Sequence, residues 1–148
     1  LQNKNPHPKL VIIGRSPTPE IQSLANQNVI ITGTVDNIWP YVNSIDLFVF
    51  PMEIGSGQQN KLLEAMAAGI PVISTALGNS GIGATHNEHI IICDTDDEFT
   101  HAIASMLHNK QKRLALGLAG KEFVNRTYSW PKILSTVDEK LLGIKSTF

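Results

Sequence analysis

Five short apolar runs, rich in β-branched residues, recur along the chain. They occupy residues 9–14 (KLVIIG), 28–33 (NVIITG), 46–50 (DLFVF), 71–75 (PVIST) and 89–93 (HIIIC). Each run is continuously apolar instead of alternating with polar residues, a pattern typical of strands that helices cover on both faces. The sequence therefore predicts an α/β fold, with a parallel sheet of about five strands flanked by helices, in a single domain over residues 1–148.

Helical patterns fill the segments between and after these runs. SPTPEIQSLA carries prolines and an acid at a helix start, and the acidic stretch DTDD at 94–97 is interpreted as a helix cap because it lacks the Gly and the terminal Glu of a calcium loop. The apolar positions predicted to line helix faces are Leu63, Met66 and Ala67; Phe99, Ile103, Met106 and Leu107; Leu114 and Leu118; and, in a last helix starting at Ser129 and Pro131, Ile133, Val137 and Leu141.

Charge and cysteine content narrow the function classes. The formal net charge is −1, so the chain offers no general polyanion-binding surface and a nucleic-acid partner is not expected. The single cysteine, Cys93, lies in an apolar run and is interpreted as a core residue in a reducing compartment. No run reaches the roughly 20 apolar residues of a membrane helix and no cleavable signal opens the chain, so the predicted location is the cytoplasm.

The stretch FPMEIGSGQQNKLLEAMAAGIPVIST, residues 50–75, predicts a strand, a glycine-containing loop, a helix and a further strand. Ligands of such sheets bind beyond the carboxyl ends of strands, where helix N-termini present unpaired N–H groups. Gly55 and Gly57 allow close backbone approach, and the helix end carries about half a positive charge, so a phosphate is the expected occupant. The spacing matches neither a P-loop nor a dinucleotide fingerprint, and Lys61 is the nearest added cation.

Lys61 and Glu64 share one face of the predicted helix. If Asn60 is the N-cap, Lys61 lies in the first turn, where its charge opposes the helix dipole unless an anion is present. Two interpretations of Glu64 stay open: a surface ion pair with Lys61, worth about 0.2–0.5 kcal/mol, or a carboxylate that accepts hydrogen bonds from sugar hydroxyls.

At these residues the sequence resembles a known family. GSGQQNKLLEAMAAGIPVIST resembles the donor-binding segment of the retaining GT-B glycosyltransferases of the glycosyl transferases group 1 family, and the order of the other motifs is similar over nearly the whole chain. The resemblance implies the C-terminal, Rossmann-like half of a two-domain enzyme, with an N-terminal domain holding most of the acceptor. The family's first strand of this half has no counterpart here. Because that strand is central in the order 3-2-1-4-5-6, its absence should expose two strand edges or leave a gap.

The resemblance assigns roles in the glycine-containing loop and its helix. The second glutamate of the family's E-x7-E motif contacts the donor ribose and matches Glu64. The first glutamate falls on Ser56, a departure shared with a glycine-rich subset of the family that has Gly or Ser there and a Lys three residues before the second glutamate. The sugar contact then passes to backbone amides of residues 55–58. The residues implied to be catalytic are Ser56, Lys61 and Glu64.

Further donor-binding residues follow from the same resemblance. Residues 60–61 would face the diphosphate and residues 34–35 would lie beside the base. Gly14 and Arg15 face the same cleft, where Arg15 either meets a phosphate or is a solvated loop residue. The implied binding set is Gly14, Arg15, Thr34, Val35, Gly55, Gly57, Gln58 and Asn60.

The implied activity is glycosyl transfer with retained configuration, from a nucleotide-diphosphate sugar such as a UDP- or GDP-sugar to a glycan, lipid or small-molecule acceptor. Neither a metal nor a cofactor is implied, since the loop, the helix N-terminus and Lys61 would stabilise the leaving diphosphate. The expected partners are the donor, the acceptor and the N-terminal domain, and the full-length enzyme could work at the inner face of the membrane. The alternatives are a non-catalytic α/β binding module and a degenerate glycosyltransferase-like interaction domain, the latter motivated by Ser56.

A histidine-containing cluster and four aromatic residues are predicted to have structural roles instead of binding a ligand. His86, Glu88 and His89 lie close in sequence, but alternation along a strand sends His89 to the opposite face, which argues against a metal site. Four aromatic residues that could stack on a base are instead interpreted as packing residues: Trp39, Tyr41, Tyr128 and Trp130.

Overall fold

A computed structural model describes residues 8–129, which form two units, one ending at Tyr41 and the other beginning at Val42. The elements of the first stretch are β1 (Leu10–Ile13), α1 (Pro19–Ser23), β2 (Val29–Gly33) and α2 (Trp39–Val42). β1 and β2 pair in parallel, and α1 begins after Thr18, whose hydroxyl accepts a hydrogen bond from the Ile21 N–H at 3.4 Å. Leu10 and Ile30 remain 51% and 44% exposed, so these two strands are not covered on both faces by described residues.

The unit that begins at Val42 contains most of the described chain. Its elements are β3 (Phe48–Phe50), α3 (Asn60–Ala67), β4 (Val72–Ser74), α4 (Ala76–Asn79), β5 (Ile91–Ile92), α5 (Asp96–His108) and α6 (Lys110–Thr127). The three strands run parallel in the order β3-β4-β5. The carboxyl ends of neighbouring strands therefore meet at one edge of this sheet, where the loops leading to α3 and α4 begin.

β4 is the buried centre of this unit. Val72 belongs to an apolar cluster with Leu62 and Met66 of α3, whereas Ile73 belongs to a second cluster with Met106 of α5. All five side chains are fully buried, and each contributes about 1.5–3 kcal/mol of burial free energy. Alternate residues of one strand thus pack against helices on opposite faces, as the continuously apolar run predicts.

The predicted strands are confirmed in position and in parallel pairing, but they form two sheets instead of one. The order is β1-β2 in the first sheet and β3-β4-β5 in the second. Among residues 8–129, β4 has two hydrogen-bonded neighbours and each of the other strands has one. The expected exposure of two edges by a missing strand stays a prediction.

The buried face of α3 differs from the predicted one. Leu62, Ala65 and Met66 are buried, while Leu63 is half-buried and Ala67 is exposed. The sequence LLEAMAA supplies apolar side chains to two overlapping faces of the helix, so periodicity alone does not choose between them. Packing against β4 and α6 selects the face that carries Leu62 and Met66.

The buried face of α6 also differs from the prediction, because two glycines pack inward together with Leu116, Phe123 and Val124. Leu114 and Leu118 are 62% and 58% exposed. Gly117 and Gly120 are buried instead, and a Cβ on Gly120 would lie 2.9 Å from the carbonyl oxygen of His89. Close approach of α6 to neighbouring backbone fixes its orientation and turns the two leucines outward. By contrast, the predicted face of α5 is confirmed. Met106 is buried in the cluster that contains Ile73, Phe99 and Ile103 pack against that cluster, and Leu107 is half-buried.

The DTDD stretch caps α5, as predicted, but the N-cap is Thr95, in a capping box, and not one of the acidic residues. The Thr95 hydroxyl accepts a hydrogen bond from the Glu98 N–H at 3.3 Å, and the Glu98 carboxylate accepts from the Thr95 N–H at 3.0 Å. Backbone hydrogen bonds from Asp94 and Thr95 lower the pKa of Glu98. Among residues 8–129, no helix is both long and apolar enough to cross a bilayer. The helix predicted after Ser129, like Trp130, lies outside the described residues.

Thr95→Ala should destabilise the chain by about 1 kcal/mol, the usual cost of removing an N-cap hydroxyl. Urea unfolding followed by circular dichroism measures this loss. Thr100→Ala is the matched control, because Thr100 is exposed within α5 and makes no capping bond. Equal unfolding free energies for the two variants would contradict the capping assignment.

Gly117→Ala should lower the free energy of unfolding even though alanine favours helices. The new Cβ would meet the carbonyl oxygen of Gly69 and approach the Pro71 ring at 3.3 Å. Overpacking typically costs about 1–3 kcal/mol. Because the nearest neighbour is backbone that cannot rotate away, we expect a cost above the roughly 1 kcal/mol that alanine gains over glycine in a helix. A stabilised variant in the same unfolding assay would show that α6 does not approach Gly69 this closely.

Candidate functional site

The loop between β3 and α3 has a backbone that depends on glycine at two positions. Gly55 has φ 141° and Gly57 has φ 78°, both in the region that disfavours side chains. A Cβ on Gly55 would also collide with the terminal methyl group of Met52. Gly55, Ser56, Gly57 and Gln58 are all exposed. The loop therefore presents backbone to solvent at the carboxyl edge of the sheet, as the sequence predicts.

α3 begins one residue earlier than expected. Gln59 is the N-cap, so Asn60 and Lys61 are the first two helical residues, and the prediction of Asn60 as N-cap is wrong. The Gln59 side chain makes no capping hydrogen bond; instead it donates to the carbonyl oxygens of Ser56 and Gly57 at 3.4 and 3.3 Å. The first turn of α3 thus keeps N–H groups that its N-cap side chain does not satisfy, and these carry the positive end of the helix dipole.

Lys61 and Glu64 are both exposed on α3. Within residues 8–129, Arg113 forms an ion pair with Asp46, and His89 Nε2 lies 3.4 Å from Glu88 Oε1. Lys61 and Glu64 do not form the surface ion pair that their spacing allows. A lysine in the first turn of a helix is electrostatically unfavourable without an anionic partner. Both charged side chains are therefore available to a ligand.

Thr75 ties the glycine-containing loop to the sheet. Its hydroxyl donates to the carbonyl oxygen of Met52 at 2.7 Å and accepts from the Gly78 N–H at 3.1 Å, which caps α4. Thr75 is not among the site residues predicted from the sequence. Its signal is a threonine that ends the apolar run 71–75 just before a short helix, which is also the pattern of an ordinary N-cap.

The remaining predicted site residues belong to the unit ending at Tyr41. Gly14 and Arg15 follow β1 and are exposed; Thr34, which follows β2, is exposed, and Val35 is half-buried. The structure thus brings one subset of the predicted residues together in a single loop and helix of the other unit: Gly55, Ser56, Gly57, Gln58, Asn60, Lys61 and Glu64. Residues 14–15 and 34–35 lie at the carboxyl ends of β1 and β2.

The histidines near β5 have structural partners. His86 Nδ1 accepts from the Ile92 N–H at 2.9 Å, and His89 Nδ1 accepts from the Thr85 N–H at 3.2 Å. The His89 ring also stacks on Phe123 with centroids 4.5 Å apart. Within the described part of the chain, no group of three or more His, Cys, Asp or Glu side chains could hold a metal ion.

Cys93 and the described aromatic residues divide between core and surface. Cys93 is buried, as predicted, and burial raises the pKa of its thiol. Tyr128 packs edge-on against Phe123 and donates a hydrogen bond to the Ile82 carbonyl oxygen at 2.7 Å, so it is a packing residue. Trp39, in contrast, is 50% exposed at the start of α2, which does not support its interpretation as a packed residue.

Known proteins resemble this chain in sequence and in fold. The family model for "Glycosyl transferases group 1" matches residues 1–109. A GDP-mannose-dependent α-(1-6)-phosphatidylinositol monomannoside mannosyltransferase of Mycobacterium tuberculosis is 29% identical over 150 residues, covering 90% of this chain and 39% of that protein.

Two solved structures share the fold at low identity. HepE of Anabaena in complex with UDP superposes with a TM-score of 0.78 at 16% identity, over 93% of this chain and 42% of HepE. The C-terminal domain of the group 1 family protein LpcC from Francisella tularensis superposes with a TM-score of 0.65 at 18% identity, over 74% of this chain and 58% of that domain.

The chain spans 39% of the mycobacterial relative and 42% of HepE, so it corresponds to part of each protein. The α/β fold with parallel strands and flanking helices, predicted from the apolar runs, is confirmed by these superpositions. The family model matches well over half of the chain. By its sequence and its fold, the chain belongs to the glycosyl transferases group 1 family.

Proposed function

We propose that residues 1–148 form a nucleotide-sugar-binding domain of a retaining glycosyltransferase, the C-terminal half of a GT-B enzyme whose N-terminal domain holds the acceptor. The observation that carries this proposal is Lys61, an exposed cation in the first turn of α3 with no ion-pair partner among the described residues, directly after a loop of two positive-φ glycines. A lysine at this position slightly destabilises the ligand-free protein because its charge opposes the helix dipole. A bound anion would remove that cost.

A diphosphate suits the positive helix end and the exposed glycine backbone of this loop. The helix N-terminus contributes only about 0.3–1 kcal/mol per interacting charge, so a doubly charged group requires an added cation, which Lys61 supplies. Exposed backbone at Gly55 and Gly57 lets phosphate oxygens approach N–H groups without a Cβ in the way. The same groups would stabilise the charge that develops on the leaving diphosphate during glycosyl transfer.

Glu64 would recognise the ribose of the donor. Its exposed carboxylate lies three residues beyond Lys61 and forms no ion pair with it. A carboxylate accepts two hydrogen bonds from vicinal hydroxyls, as acidic residues do in other α/β nucleotide sites. Ser56 and the backbone amides of residues 55–58 would contact the transferred sugar. In the unit ending at Tyr41, residues 34–35 would contact the base and residues 14–15 a phosphate.

Relatives support a nucleotide-diphosphate sugar as the donor. The mycobacterial relative is GDP-mannose-dependent, and HepE has been solved with UDP and with UDP-glucose. The proposed donor is accordingly a UDP- or GDP-sugar, and the acceptor a glycan, a lipid or a small molecule. The proposed reaction uses no metal and no cofactor, and takes place in the cytoplasm or at the inner face of the membrane.

Ser56 supports a second candidate function. It stands where most of the family has a glutamate, and the nearest upstream carboxylate, Glu53, is three residues away in an exposed loop. A degenerate domain that retains the fold for interaction with a partner protein would show this loss. Such a domain, or a non-catalytic binding module, would bind nucleotides weakly or not at all.

Calorimetric titration of the full-length protein with UDP, GDP and ADP tests the proposal. One diphosphate should bind selectively, and Lys61→Ala should weaken its binding roughly 10- to 100-fold, because hydrogen bonds to charged groups contribute about 1.5–3 kcal/mol. Glu64→Ala should weaken binding of the same nucleotide by roughly tenfold, since it removes the acceptor for the ribose.

Matched controls are available on α6. Lys112 is an exposed lysine in the first turn of that helix, without a glycine-containing loop before it, and Glu122 is an exposed glutamate further along. Lys112→Ala and Glu122→Ala should leave the nucleotide affinity unchanged. Absence of binding by the parent protein would contradict the donor-site proposal and favour the degenerate domain.

A further inference from the structure

Gly81 lies against the backbone of the glycine-containing loop. A Cβ built on Gly81 would be 2.7 Å from the carbonyl oxygen of Gly57 and 2.8 Å from the Cα of Gln58. Real Cβ atoms essentially never come this close to another heavy atom, and the neighbours here are backbone atoms that cannot rotate away. The chain after α4 therefore supports residues 57–58 through a contact that only glycine permits.

The segment that carries Gly81 is held in place from both sides. The Asn79 side chain donates to the Ala84 carbonyl oxygen at 2.9 Å and accepts from the Ala84 N–H at 3.1 Å, which closes the turn around Gly81. The Tyr128 hydroxyl donates to the Ile82 carbonyl oxygen at 2.7 Å. Ile82 is itself buried in the core. A side chain at position 81 would thus displace the loop, because the turn itself is anchored and cannot retreat.

Tyr128 links this support to the end of α6. Its ring packs edge-on against Phe123, with centroids 6.3 Å apart, and burial raises the pKa of its hydroxyl. The hydroxyl therefore stays protonated as a donor at neutral pH. Ile82 follows Gly81 directly, so the position of the Tyr128 hydroxyl fixes the backbone that touches residues 57–58.

We infer that Gly81 is a positioning residue for the donor site and that Tyr128 anchors it. Gly81 sets the conformation of the loop at Gly57 and Gln58, and this conformation sets the affinity for a nucleoside diphosphate. The inference rests on the proposed function for its ligand. The part that concerns loop conformation rests on the contacts of Gly81 and does not depend on the proposed function.

The test uses the full-length protein with Gly81→Ala, Tyr128→Phe and a control, Gly120→Ala. Gly120 has comparable crowding, 2.9 Å from the carbonyl oxygen of His89 and 3.5 Å from Met66, but does not touch the loop. Hydrogen–deuterium exchange of the peptide covering residues 52–60 reports loop conformation. Calorimetry with UDP and GDP reports affinity, and Tm reports stability.

Gly81→Ala should raise hydrogen exchange in the loop peptide and weaken diphosphate binding about tenfold, the usual cost of losing one hydrogen bond to a charged group. Tyr128→Phe, which keeps the ring and removes one hydroxyl, should change both quantities in the same direction by less. Gly120→Ala should lower Tm while leaving loop exchange and affinity as in the parent, because a loss of stability alone does not alter the affinity of folded molecules.

Three results would overturn the inference. If the loop peptide of Gly81→Ala exchanges hydrogen at the same rate as in the parent protein, the loop does not depend on this contact. Altered exchange with parental affinity would show that the loop conformation does not matter for binding, and equal effects in Gly120→Ala would reduce the role of Gly81 to stability. If the parent protein binds neither UDP nor GDP, the proposed function and the claim about nucleotide affinity are both overturned. The exchange data would still decide whether Gly81 controls the loop conformation.

Discussion

Burial of β4 on both faces is the constraint on which the larger unit depends. Val72 and Ile73 have no exposed surface and point into separate apolar clusters, so α3 and α5 must lie on opposite faces of the sheet. The parallel pairing of β4 with β3 and β5 then brings the carboxyl ends of the strands to one edge. The loop before α3 and the turn after α4 meet there because their strands are neighbours. Packing of apolar side chains thus places a polar, solvent-facing loop.

Much of this arrangement follows from sequence patterns that reflect local physics. Continuous apolar runs indicate strands covered on both faces, and the run at 71–75 becomes β4, which is covered in this way. The loop position is predictable because glycines between a strand and a helix mark a place where backbone must adopt φ values that other residues avoid, as Gly55 and Gly57 do. The capping box of Thr95 and Glu98 involves residues only three positions apart, so it too can be predicted from the sequence.

The features that sequence did not predict depend on tertiary contacts. The inward face of α6 is set by Gly117 and Gly120, whose role appears only when neighbouring backbone is seen at close range. The buried face of α3 was ambiguous because apolar residues exceed what one face needs. Thr75 and Gly81 act on the loop from more than 20 residues away, and no local pattern reports which turn will touch which loop. Residues 14–15 and 34–35 were assigned by resemblance, and their roles stay predictions.

The free edges of β1 and β3 have a practical consequence. Each strand lacks a second hydrogen-bonded neighbour among residues 8–129, and the sequences LVII and FVF carry neither a charge nor a proline. Lysines, prolines and bulges are the usual means by which proteins prevent such edges from pairing with another chain. With a net charge of only −1, repulsion between molecules adds little protection. Where these edges stay unpaired, backbone hydrogen bonding between copies of the chain should limit its solubility.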